Sequence, residues 1–161
     1  MAKATEIDIE ARAKAGRENF LKGYNCAQSV IAAFADIYPS DDIDTLLRLS
    51  ASFGGGMGRL RMTCGAASGM FMLAGLENGS ATPGNMEART RNYALVQELA
   101  AKFKEENDSL ICAELLGMRT GKIEPPRPSE RTTEYYRGRP CPRLVECACR
   151  IYAHHLANKG D

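Results

Sequence analysis

The sequence predicts an all-α fold: a single-domain bundle of about six to seven helices, with a long irregular loop before the last helix. Three observations carry this expectation. Apolar residues recur at helical spacing through most of the chain. Capping and stop residues fall between those stretches. The chain has 161 residues, 44% of them apolar and 25% charged, enough for one core of ordinary composition. With no internal repeat and no linker, residues 1–161 read as one all-helical domain.

Residues 6–22 carry Ile9, Ala13, Gly16 and Phe20 at helical spacing, and Gly23 stops that helix. Asn25 caps a second helix, with Gln28 completing a capping-box pattern, and Pro39 ends it just after Tyr38. Ser40 or Asp41 opens a third, with Ile43, Leu46, Leu47 and Ala51 inward. It runs into the glycines Gly54, Gly55, Gly56 and Gly58.

Thr63 caps a fourth helix, from Cys64 to about Leu76, whose first turns are small: Gly65, Ala66, Ala67, Ser68 and Gly69. Glycine inside a helix costs roughly 1 kcal/mol against alanine, so another backbone or a bound group is expected close by. Asn78–Gly79 turns the chain into a long helix, about Asn85 to Asn107, with Tyr93, Val96, Leu99, Ala100 and Phe103 on one face. Asp108 or Ser109 caps a short helix through Leu116, closed by Gly117.

Residues 118–140 hold four of the seven prolines and many charges. They read as an irregular loop or arm, long enough to be a lid or an interface segment, with Tyr135 and Tyr136 to pack it down. The last helix begins at Cys141, with Pro142 at the favoured first position, and continues to about Ala157.

Composition excludes some functions. The formal net charge is +1, which gives no general electrostatic case for nucleic acid. The N-terminus has no apolar run, and no stretch approaches the roughly 20 apolar residues of a membrane span. No membrane insertion and a cytoplasmic location are therefore expected. Stable disulfides are unusual in that compartment, so the six cysteines call for metal, redox chemistry or plain burial.

Four of them share a position. Cys26 follows the cap Asn25, Cys64 follows the cap Thr63, Cys112 lies in the first turn after Asp108 or Ser109, and Cys141 stands at the entrance to the last helix. A helix start presents unpaired N–H groups and a partial positive charge. A thiolate there is stabilised and its pKa falls, and an anionic thiolate cluster is favoured by the same field. Cys26, Cys64, Cys112 and Cys141 are therefore the candidate redox or metal-ligand residues.

On the last helix, Leu144, Val145, Ala148, Ile151 and Tyr152 define one face, with Cys141 near its centre and Cys147 and Cys149 on opposite flanks. Those two read as structural, spare or exposed thiols, or as alternative redox partners should the long loop reach them. No C-x-x-C pair is present, so the chain lacks a zinc-finger, ferredoxin-type or haem-attachment run.

Other residues fit plain structural roles. Phe53–Gly58 reads as a tight turn rather than an anion cradle. Arg59 and Arg61 beside it either lower the pKa of Cys64 or are solvated. Met57, Met62, Met70 and Met72 read as core filler rather than soft-metal ligands. His154 and His155 suit a helix end.

The motifs Gly23-Tyr24-Asn25-Cys26-Ala27-Gln28-Ser29-Val30, Phe53-Gly54-Gly55-Gly56-Met57-Gly58, Thr63-Cys64-Gly65-Ala66-Ala67-Ser68-Gly69, Cys112-Ala113-Glu114-Leu115-Leu116-Gly117 and Cys141-Pro142 occur in that order. In this the chain resembles a family of small bacterial and archaeal proteins, named for the pattern C…CGAxxG…C…C and labelled redox-active. The resemblance covers roughly residues 14–156. It implies that Cys26, Cys64, Cys112 and Cys141 are the signature cysteines, and that Cys147 and Cys149 lie outside the pattern. Some relatives join such a domain to haem-bearing electron-transfer parts and are thought to hold an iron–sulfur cluster.

Three functions follow as expectations. The first is an iron–sulfur cluster or zinc held by the four thiolates, for electron transfer or sensing. The second is a thiol–disulfide redox protein using the same cysteines. The third is a non-enzymatic binding or assembly module with buried cysteines. A redox protein partner and a homodimer packed through the glycine-rich helix complete the expectations.

Overall fold

Helix α1 (Ile9–Leu21) begins where the Asp8 carboxylate accepts the Ala11 amide at 3.0 Å. Across the computed structural model, which describes residues 6–119 and 124–159, local chemistry of this kind sets most helix boundaries. Helix α2 (Cys26–Ala32) starts with the full capping box: Asn25 accepts from the Gln28 amide and Gln28 accepts from the Asn25 amide. Those two side chains also donate to the carbonyls of Ala51 and Leu47, tying the start of α2 to the next helix.

The second helix is shorter than the sequence suggested, giving way to a 3₁₀ turn at Ala35–Ile37. Helix α3 (Ile43–Ser50) is capped by Asp42, not by Ser40 or Asp41. Its expected inward face is only half covered: Ile43 is 38% exposed, Ala51 is exposed, and Ser50 is its buried residue.

Helix α4 (Gly65–Asn78) is capped by Cys64 itself. Thr63 instead makes an antiparallel bridge with Ile111. Helix α5 (Met86–Asn107) buries Ala88, Leu95, Leu99 and Phe103, while Tyr93 is 59% exposed. The buried stripe is set by the i, i+4 row through Leu95, and Tyr93 stands to one side of it. Asp108 closes α5 in the left-handed conformation, so the cap of α6 (Cys112–Leu115) falls on Ile111.

The proline-rich segment is not wholly irregular. It contains α7 (Thr133–Gly138), capped by the Thr132 hydroxyl accepting from Tyr135. Residues 120–123 of the expected loop lie outside the described residues. Helix α8 (Cys141–Ala157) has the expected bounds.

The described residues thus form eight helices and no strand, an all-α domain. The core joins Phe20, Phe34, Met70, Leu73, Leu99, Phe103, Val145 and Tyr152 into one cluster. Helix α1 lies along α8, and α4 packs between α2 and α5. The small face of α4 explains itself against α2: a Cβ on Gly69 would stand 2.8 Å from the Val30 Cβ and 3.0 Å from the Ala27 carbonyl. The close neighbour expected there is the backbone of α2. Among the described residues no helix is long and apolar enough to cross a membrane.

Candidate redox site

Cys26, Cys64, Cys112 and Cys141 each stand at a helix start, and all four line one cavity of about 390 Å³. Four separate parts of the chain bring them there. The Asn25 capping box fixes Cys26 as the first residue of α2. Segments 61–64 and 110–113 zip together through Cys64 N–H to Leu110 O at 2.7 Å and Cys112 N–H to Met62 O at 2.6 Å. That pairing sets Cys64 beside Cys112. Gly65 lets α4 approach α2, since a Cβ there would come within 3.2 Å of the Cys26 sulfur. Cys141 opens α8.

The glycine cluster is an unusual turn. Gly55, Gly56, Met57, Gly58 and Arg59 all take positive φ, between 62° and 71°, and Arg61 follows at 59°. Five consecutive residues of left-handed hand are costly for L side chains. The turn aims Arg59 and Arg61 inward. Arg61 is 9% exposed; its Nη1 lies 3.7 Å from Cys112 Sγ and its Nε donates to Glu124. Arg59 donates to Glu124 at 3.2 Å and to the Pro125 and Arg127 carbonyls. Neither arginine is solvated as the sequence allowed, and the thiol that Arg61 touches is Cys112, not Cys64.

These contacts strap residues 124–131 across the cavity. Arg131 adds to them, donating to the Phe20 and Tyr24 carbonyls, with its guanidinium 4.0 Å from the Phe20 ring centre. Pro126, Pro128, Tyr135 and Arg139 complete that wall. The described part of the proline-rich segment therefore covers the site. Arg131, Arg139 and Glu124 went unnoticed in the sequence, where their only mark was membership of a charged loop.

The expected fall in thiol pKa does not occur at three of the four sites. Burial pushes Cys64 far up, a charge on Cys26 adds to the push, and the Ala67 and Ala66 amides at the helix start only oppose it. Burial raises Cys112 against the pull of Arg61. Burial, then a charge on Cys26, raises Cys141 to about 11. The physical reason is magnitude. A helix end is worth about 0.3–1 kcal/mol, whereas burial moves a pKa by up to about 3–5 units. Each unit is about 1.4 kcal/mol.

Cys147 and Cys149 are both buried away from this cavity. Cys147 donates to Glu106 at 3.1 Å, and Cys149 fills the space above Gly16 on α1. Of the methionines, Met70 is core and Met62 is 52% exposed; His155 pairs with Glu77 at 2.8 Å and His154 is exposed. Among the described residues, no three His, Cys, Asp or Glu side chains are grouped so as to hold a metal ion.

A sequence model of the family described as "Putative redox-active protein (C_GCAxxG_C_C)" matches residues 24–155, most of the chain and all four cavity cysteines. That name gives the second motif as GCAxxG, whereas Cys64-Gly65-Ala66-Ala67-Ser68-Gly69 has the first two residues in the other order. Neither a curated protein nor a solved structure gives a match.

Proposed function

The chain belongs to the C_GCAxxG_C_C redox-active family, and from that premise we propose that Cys26, Cys64, Cys112 and Cys141 are its redox groups, forming and breaking disulfides among themselves. One observation carries the reading: four cysteines from four helix starts line a single cavity. Oxidising two of these thiols to a disulfide releases two protons and two electrons to an acceptor, a disulfide or a redox protein partner. A charge on Cys26 disfavours a second on Cys64, Cys112 or Cys141. An attacking sulfur and its resolving partner ionise in turn rather than together, so this repulsion is compatible with stepwise exchange.

The same four cysteines support a second reading, an iron–sulfur cluster or zinc. A bound cation deprotonates its thiol ligands outright, relieving the repulsion. The donor chemistry is right for either group. The positions are not: as they stand, no three of the described donors form a ligand set, so no step is drawn through a metal. The Gly65 and Gly69 stripe, expected at a homodimer face, is already packed against α2.

Anaerobic purification separates these readings. A colourless, metal-free protein that reversibly loses two or four titratable thiols on oxidation supports disulfide chemistry. Visible absorption with stoichiometric iron, or bound zinc, and protected thiols replaces it with the second reading. Thiols that neither oxidise nor bind metal, and whose replacement by Ser changes nothing, leave a binding or assembly module.

A further inference from the structure

The cavity wall carries an imbalance of charge. Arg59, Arg61, Arg131 and Arg139 line it, and among the described residues no Asp or Glu does. One carboxylate, Glu124, reaches the group, and it is shared by Arg59 and Arg61. Arg131 is hydrogen-bonded to neutral carbonyls. Arg139 makes no ion pair among the described residues and lies over the Tyr135 ring, 5.1 Å from its centre. The chain as a whole has a formal net charge of only +1, so the positive excess is local. Phe20, Leu115, Leu116, Pro126 and Leu144 add an apolar part to the lining. The volume of about 390 Å³ falls within the usual range for small-ligand pockets, roughly 300–1,000 Å³.

Guanidinium groups match carboxylates in charge and shape, and a pocket with low-dielectric walls strengthens the attraction. The positive groups are also placed unevenly. Arg61 touches Cys112, and Arg139 lies two residues before Cys141, with its charge felt at both sulfurs. We propose that this cavity takes a small organic disulfide bearing carboxylates, held by Arg139 with its sulfurs toward Cys112 and Cys141. The proposal rests on the thiol–disulfide reading and names its substrate class.

Cys112 gives up its proton to solvent and bonds to one substrate sulfur while the other leaves as a thiolate. A second cavity cysteine gives up its proton, attacks the Cys112 sulfur and releases the remaining half as a thiolate. Both thiolates take up protons. Two cysteine thiols are oxidised to one disulfide, and the substrate disulfide is reduced to two thiols.

The test is a charge series of matched disulfides on the reduced full chain: dithiodiglycolate (anionic), hydroxyethyl disulfide (neutral) and cystamine (cationic). Each rate is divided by the same disulfide's rate with free mercaptoethanol. The anion is expected to exceed the cation by about tenfold or more, one charge-assisted contact of about 1.4 kcal/mol or greater. Arg139→Gln should cut that ratio severalfold and Arg139→Lys should keep most of it. Equal normalised rates, or a ratio unmoved by Arg139→Gln, overturn the proposal. In parallel, calorimetry with redox-inert terephthalate and its neutral diamide reads anion binding alone. Terephthalate bound with no disulfide reduced would sink the redox reading while the anion site stands; reduction without charge preference and without terephthalate binding would sink the anion site while the redox reading stands.

Discussion

Gly56 and Gly58 form a matched pair for testing the left-handed turn. Both have positive φ, 67° and 62°, so alanine at either pays the same backbone penalty, about 1–2 kcal/mol. Their surroundings differ. A Cβ on Gly58 meets nothing within 4 Å, whereas one on Gly56 would stand 2.6 Å from the Cys112 Cβ, and 2.8 Å from both the Arg61 Cα and the Met62 nitrogen. Two of those neighbours are backbone, and cannot rotate away. Overpacking of this kind adds about 1–3 kcal/mol. Gly56→Ala is expected to cost about 2–5 kcal/mol in all, and Gly58→Ala about 1–2 kcal/mol. Urea unfolding followed by circular dichroism measures both, with a slope of about 1–3 kcal/mol per molar. Gly56→Ala should also alter the alkylation rate of Cys112, because the clash falls on that residue, and Gly58→Ala should not. Equal losses in the two variants, with Cys112 unchanged, would refute the claim that this turn positions the thiol.

Three further outcomes follow from other parts of the structure. Burial alone would raise Glu77, yet hydrogen bonds from His155 and Lys159 bring it down to about 2 from an ordinary 4.5; a depressed carboxyl stabilises above its unfolded pKa, so roughly 3 kcal/mol should be lost as pH falls from about 4.5 to 2, and Glu77→Gln should flatten that part of the stability–pH curve. A Cβ on Gly16 would lie 2.4 Å from the Cys149 sulfur, so Gly16→Ala should destabilise the native chain by about 1–3 kcal/mol but gain up to about 1 kcal/mol of helix propensity in a Cys149→Ala background, a sign change read by a double-mutant cycle of unfolding free energies. The Arg61 guanidinium is the main force holding Cys112 down against burial, so Arg61→Gln should slow alkylation of Cys112 severalfold between pH 7 and 9, measured by peptide mass spectrometry.

Much of the fold was legible because it is local. The Asn25–Gln28 capping box, the 141–157 helix and the end of the long helix at Asn107 are set by residues within a turn of the boundary. The gathering of Cys26, Cys64, Cys112 and Cys141 at helix starts was legible for the same reason. What escaped the sequence was tertiary. Thr63 looks like a cap, but its bridge to Ile111, 48 residues away, holds it extended and makes Cys64 the cap. Ile43 and Ala51 have the spacing of a buried face, yet α3 lies at the edge, where only α2 covers it appreciably. The rise of the thiol pKa values is likewise a matter of burial, which spacing does not report. Arg131 and Arg139 sit in a stretch whose composition signals only a loop, and nothing local says that they face the cysteines.

The strained turn and the covering segment make sense together. Left-handed Met57, Arg59 and Arg61 each lack the freedom of glycine and raise the energy of the turn. Their conformation sends Arg59 and Arg61 to the same side, where both meet Glu124. An ion pair in which every member is at least four-fifths covered is strongly disfavoured to break one partner at a time. The turn is therefore held in place by the segment it clamps, and that segment is held over the cysteines by the turn. Loss of Glu124 would free both at once. It would also leave the two arginines without a counter-charge beside Cys112, making the cavity more attractive to an anion while removing part of its cover. Cover and charge at this site thus meet in one carboxylate, and Glu124→Gln should move thiol accessibility and terephthalate affinity upward together. A rise in one with a fall in the other would show that the strap and the anion site are separate features.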